Sequence, residues 1–222
     1  MANPALGLRA VRLALKEPEL FMPQLRAIVR ASALGQVRLM IPMLSHLDEV
    51  TQVTELVRRV QAEFRQQGVE FDAAMPIGGM IEVPAAAAYA DGFARALDFL
   101  SIGTNDLIQY AVAIDRVNEE VSYLYDPLNP GVLRLISMAI RAADAGDCPI
   151  AMCGEMAGDV RYTKLLLGLG LRIFSVHPSV LLEVKQAIAE TTLEDVKATV
   201  SRALRTADPQ RLQSLMATLG TA

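Results

Sequence analysis

The chain has 222 residues, 52% of them hydrophobic, and a formal net charge of −4. Such a length allows one large domain or two small ones around a sizeable core, and the acidic balance argues against a nucleic-acid or anionic-membrane surface while leaving room for a small anionic substrate held by local arginines. No apolar run is long enough to span a bilayer, no secretory leader stands before the two cysteines, Cys148 and Cys153, and no Cys/His cluster has zinc spacing, so the expected setting is reducing and cytoplasmic.

Residues 3–16 carry apolar side chains at helical spacing behind Asn3, a candidate N-cap, and Pro4. Residues 19–33 repeat the pattern, with Gly35 as the expected stop. VRLMIPM, 37–43, is a short apolar run suited to a buried parallel strand. Ser45 then opens a long amphipathic helix to Gln67, with Asp48 and Glu49 in its first turn and Gly68 behind it. The unit recurs as strand 75–83 with helix 84–96, and as strand 98–105 with a helical segment to Arg116. Helix 129–146, strand 148–155, helix 156–170, strand 172–178 and helices 179–190 and 193–204 follow, with a tail that is a further helix or frays.

Short strands, apolar on both faces and alternating with helices, predict an α/β protein with a parallel sheet. Periodicity fits both an open doubly wound sheet and the later part of an eight-stranded barrel. No Gly-x-Gly-x-x-Gly turn follows a strand, which argues against dinucleotide binding.

In a parallel sheet the carboxyl ends of the strands share one edge, so the polar residues there are expected to meet. They are Glu82, then Asn105 and Asp106, then Cys153 with Gly154 and Glu155, and lastly His177. Two carboxylates at neighbouring strand ends suit a hard divalent cation such as magnesium. Plainer readings stand beside these. Glu82 is equally a carboxylate at a helix N-terminus, Asn105-Asp106 a capped turn, and Cys153 a small buried residue rather than a reactive thiol. His177 reads as a turn residue, His46 as a helix-end residue, and Arg9 and Arg116 as ordinary surface arginines.

SIGTNDLIQYAVAIDR and YLYDPLNPGVLRLI, with GGMIEVPAA, AMCGEMAGD, NPALGLRAVR and VRLMIPM, closely resemble the enzyme I family of the bacterial phosphoenolpyruvate:sugar phosphotransferase system. The wider group includes pyruvate phosphate dikinase and phosphoenolpyruvate synthase. The resemblance implies a (β/α)8 TIM barrel that binds phosphoenolpyruvate (PEP) at its carboxyl-end face. The chain, 1–222, is then a single PEP-binding domain forming a C-terminal portion of that barrel, about five β/α units. The first strands and a phosphohistidine domain would belong to a longer parent.

Carried over position by position, Glu82 and Asp106 would bind Mg2+. Arg9, Asn105, Asp106 and Arg116 would bind PEP, and Cys153 would give a proton to the enolate carbon. The implied activity is Mg-dependent transfer of the PEP phosphoryl group to a protein histidine, leaving pyruvate. The implied partners are a second copy of the chain and a phosphocarrier protein, HPr or an analogue, met through the N-terminal domain; nucleic acid and membrane are not among them. The implied setting is sugar transport in the cytoplasm. The chemistry suits these roles: arginines that pair two oxygens at once are a natural clamp for phosphate and carboxylate, and thiols are mostly protonated at neutral pH and can supply a proton. Neither His46 nor His177 sits in a phosphoacceptor pattern, so the chain by itself is expected not to complete phosphotransfer. A dimerisation or PEP-binding module without turnover, or a piece of a dikinase or synthase, are the alternatives.

Overall fold

The computed structural model describes residues 4–206 and 208–221, so the Asn3 cap lies outside the described residues. Pro4–Leu6 is a 3-10 turn and α1 is Ala10–Lys16. The single helix expected over 3–16 is interrupted where Ala10 takes φ +50°. The next helix, α2, Pro18–Ala31, runs through Pro23 and ends before Gly35; the Ser32 hydroxyl donates to the Val29 carbonyl at 2.6 Å and closes it instead. Strand β1 is Leu39–Ile41. His46, not Ser45, caps α3, Leu47–Gln67. Its Nδ1 accepts from Asp48 N–H, and the Glu49 carboxylate takes the N–H groups of Ser45 and His46, a reciprocal capping box.

Strand β2, Ile77–Ile81, leads into α4, Pro84–Ala88, and α5, Ala90–Ala96, which Tyr89 separates. Strand β3, Phe99–Gly103, leads into α6, Thr104–Ala111, which stops short of Arg116. An irregular segment then precedes α7, Pro130–Ala145, capped by the Asn129 side chain. Strand β4, Ile150–Cys153, leads into α8, Glu155–Gly158, and α9, Val160–Leu169, divided at Asp159. Strand β5 is only Ile173–Phe174. Helices α10, Leu181–Ala189, α11, Leu193–Arg205, and α12, Pro209–Thr218, complete the chain, so the tail is helical.

All five strands are parallel and lie in the order β1-β2-β3-β4-β5. That order settles what periodicity left open. Parallel crossovers are right-handed, so steps that all go the same way put every connecting helix on one face. A doubly wound sheet reverses direction and covers both. The sheet is therefore an arc of a (β/α) barrel. Burial follows the same division. Ile81, Leu100, Ile102 and Met152, on the helix side, are fully buried, each contributing roughly 1.5–3 kcal/mol by leaving water. On the inner side Met40 and Ile173 remain 38% and 49% exposed. Among the described residues, no helix is long and apolar enough to cross a membrane.

Candidate functional site

The carboxyl ends of the strands converge as the parallel order requires. Glu82 follows β2 and is 5% exposed. Its Oε1 accepts the Met43 backbone N–H at 2.6 Å. Its Oε2 lies over Gly103, 2.8 Å from where a Cβ would stand, so a side chain at 103 would displace the carboxylate. Burial, reinforced by the charge of Asp106, holds the Glu82 carboxyl above the ordinary carboxylate range, while the Met43 N–H and Arg9 pull the other way.

Asp106 stands in the first turn of α6. Its Oδ2 is 3.5 Å from Nη2 of Arg9. Arg9 also donates through Nη1 to the Tyr110 hydroxyl at 3.3 Å, and that hydroxyl donates to the Ala5 carbonyl at 2.6 Å. Asp106 and Tyr110 are four apart in one helix and share its face. Together they hold the N-terminal turn, and with it Arg9, against the site.

Asn105 turns toward β4 instead. Its Oδ1 accepts the Glu155 N–H at 2.9 Å and its Nδ2 donates to Glu155 Oε1 at 3.5 Å. The Thr104 hydroxyl donates to the Cys153 carbonyl at 3.1 Å. Between them Gly154 takes φ +89°, ψ −179°. A Cβ there would stand 2.5 Å from Thr104 Oγ1 and 2.9 Å from Asn105 Oδ1.

Cys153 ends β4, half-buried, on the inner face in register with Gly103. Its Sγ donates to the Ile102 carbonyl and accepts from the Ser101 hydroxyl, both at 3.6 Å. Arg116 lies on the exposed segment after α6, with its backbone N–H on Gln109 Oε1 at 3.1 Å. The Tyr125 hydroxyl is pushed up to about 12 by burial and then by Glu155, against the pull of Arg116. His177 takes no part. Its Nδ1 accepts from Ser179 N–H and caps the 3-10 turn Pro178–Val180.

The structure thus unites Glu82, Asp106 and Arg9, and sets Asn105 beside Asp106 in the same turn and Cys153 one strand further along the same edge. Sequence reasoning gave no role to Tyr110, Ser101, Tyr125 or the Met43 amide. The four-residue spacing of Asp106 and Tyr110 was a usable signal for the first. A lone hydroxyl inside FLSIG was one for the second. Among the described residues no three His, Cys, Asp or Glu side chains form a ready cage for a metal. Glu82 Oε2 and Asp106 offer hard oxygen donors, the first buried and the second paired with Arg9. Two carboxylates fit a cation of the magnesium type, which keeps waters and takes further oxygens from a substrate.

The family model for the PEP-utilising enzyme, PEP-binding domain, matches residues 1–193. The phosphoenolpyruvate-protein phosphotransferase of Cupriavidus necator is 50% identical over 208 residues, covering 94% of this chain and 36% of that protein. The proteins of the same name from Priestia megaterium and Staphylococcus carnosus are 45% and 44% identical, covering 88% and 96% of this chain and 34% and 37% of theirs. The chain therefore spans about a third of the length of these relatives. Among solved structures, a citrate lyase from Burkholderia xenovorans aligns with a TM-score of 0.52 at 18% identity, covering 90% of this chain and 67% of that one, a likeness of fold.

Proposed function

The chain belongs to the PEP-utilising enzyme family, through its PEP-binding domain, and on that premise we propose that it carries part of the PEP site of a phosphoenolpyruvate-protein phosphotransferase. The reaction is transfer of the PEP phosphoryl group to a protein histidine. The convergence of Glu82, Asp106 and Arg9 at neighbouring strand ends, with Cys153 on the same edge, carries this reading.

In it, Glu82 and Asp106 would hold Mg2+, which would supply positive charge to offset that of the phosphoryl oxygens. Arg9 and Arg116 take the anionic groups of the substrate by paired N–H donors. Asp106 and the Tyr110 hydroxyl fix Arg9, and Asn105 adds an amide beside the substrate. Cys153 keeps its proton at Sγ for the methylene carbon of the enolate, so that pyruvate leaves as the ketone.

The histidine that receives the phosphoryl group lies, in this reading, outside these residues, because His46 and His177 both serve as caps. A phosphocarrier protein such as HPr takes it onward, in the cytoplasm, toward sugar uptake. The exposure of Met40 and Ile173 on the inner face of the two edge strands supports a barrel completed by further polypeptide of a longer parent. Val117 and Tyr123, 80% and 78% exposed beyond α6, support a homodimer; sedimentation at micromolar concentration should give a dimer mass, and a well-folded monomer would count against it.

Titration calorimetry of the 222-residue chain with PEP tests the core of the reading. Binding should require Mg2+ and should be lost in Glu82→Gln and Asp106→Asn. Binding indifferent to Mg2+ and to both substitutions would overturn it.

A further inference from the structure

Ser101 is the one polar side chain in β3, and it is 5% exposed. Its register neighbours on the inner face are Met80 and Ala151. A hydroxyl in such surroundings is unfavourable unless it finds a hydrogen-bond partner. The partner it has is not a carbonyl but the sulfur of Cys153, at 3.6 Å. Cys153 lies one pleat further along, since Ser101 pairs with Ala151 and Gly103 with Cys153. The thiol is gripped from two sides: the Ser101 O–H points at sulfur, and the S–H points at the Ile102 carbonyl.

We propose that Ser101 is a positioning residue for Cys153, holding its sulfur in place and stabilising the thiolate left when the proton is given up. This rests on the reading of Cys153 as proton donor. In that step the S–H bond breaks and its electron pair stays on sulfur. The enolate's π pair takes the proton to form the new C–H bond, and the thiolate later regains a proton from water. On the same edge the Arg9 guanidinium is taken up by Asp106 and the Tyr110 hydroxyl, and Glu82, Asp106 and Glu155 are carboxylates that offer a thiolate no donor. The Ser101 hydroxyl does, and hydrogen bonds to charged sulfur are stronger than those to neutral sulfur.

Two measurements on the 222-residue chain test this. The first is iodoacetamide alkylation across a pH series, followed at Cys153 by peptide mass spectrometry, which keeps it separate from buried Cys148. Ser101→Ala should lower the alkylation rate at a fixed pH below the midpoint about tenfold and move the midpoint up by about one pH unit. Ser101→Thr, which keeps the hydroxyl, should restore it. An unchanged midpoint in a Ser101→Ala protein with native circular dichroism would overturn the proposal. The second is exchange of the pyruvate methyl protons with D2O in the presence of Mg2+, read by NMR. Ser101→Ala should slow it about tenfold with the pyruvate KM unchanged; an unchanged exchange rate would likewise count against it. If wild-type and Cys153→Ala proteins exchange alike, the proton-donor reading fails, and the alkylation profile alone then decides whether Ser101 governs the thiolate.

Discussion

The Met43 amide donates a 2.6 Å hydrogen bond to the Glu82 carboxylate, tying the end of β1 to the end of β2. Met43 itself stands at φ +58°, a conformation that side-chain-bearing residues adopt only at some cost. The bond therefore links a strained turn to a buried acid.

Glu82 gives the first prediction. Its carboxyl lies above the ordinary range because of burial, so the folded chain binds more protons there than the unfolded chain does. Its contribution to stability is full below the ordinary carboxylate value and is lost as pH rises through the raised one. Glu82→Gln keeps an oxygen for the Met43 N–H and should remove this loss. In metal-free urea titrations between about pH 4 and pH 8, its stability should fall less steeply with pH than that of the wild type. Parallel curves would contradict this. Added Mg2+ should stabilise the wild type at the upper end of that range and leave Glu82→Gln unaffected.

Gly154 occupies φ +89°, ψ −179°, open in practice only to glycine. Gly154→Ala should cost about 1–3 kcal/mol and push Asn105 off the Glu155 amide, because the new Cβ would overlap Asn105 and Thr104. Urea denaturation measures the first effect and PEP affinity the second. A variant of wild-type stability would show that the turn relaxes freely.

Tyr110→Phe removes one hydroxyl that serves both Arg9 and the Ala5 carbonyl. The expected loss of stability is about 1 kcal/mol. The more telling outcome is functional: PEP affinity should fall while Mg2+ affinity holds, since Glu82 and Asp106 are untouched. Equal loss of both would mean that the whole edge had moved.

Thr163 is fully buried in α9, and its hydroxyl has no partner among the described residues. Thr163→Val keeps the branched shape and removes the unmet group, so it should raise stability by about 1 kcal/mol. A lower thermal midpoint would point to a bound water at that hydroxyl.

Much of this architecture was legible in the chain. All five strands and their order of appearance follow from short apolar runs between helical stretches, and Gly68 ends α3 as expected. What periodicity could not give was the direction of winding, because a strand buried on both sides reads the same in either arrangement. Local breaks also escaped it. The helix expected over 84–96 divides at Tyr89, and the strand expected over 172–178 shrinks to Ile173–Phe174, paired with β4 alone. At the site, the strand-end rule located Glu82, Asp106, Asn105 and Cys153. It could not locate the Met43 N–H, which is backbone and leaves no mark on composition. Nor could it join Arg9 to Asp106, a meeting that depends on how the N-terminal turn folds back. His46, read as a helix-end residue, and His177, read as a turn residue, are both N-caps, a duty any acceptor at a helix start can perform.

The hold of Tyr110 on the N-terminal turn has a further consequence, for the order in which the site assembles. Glu82, Asp106 and Cys153 come from successive β/α units and meet through near neighbours in the chain. The Arg9–Tyr110 contact spans 101 residues, a loop whose closure costs more entropy and comes later in folding. A nascent or partly folded chain would thus present its two acids before their arginine arrives, and in that interval the acids would repel each other unless a cation from solution screened them.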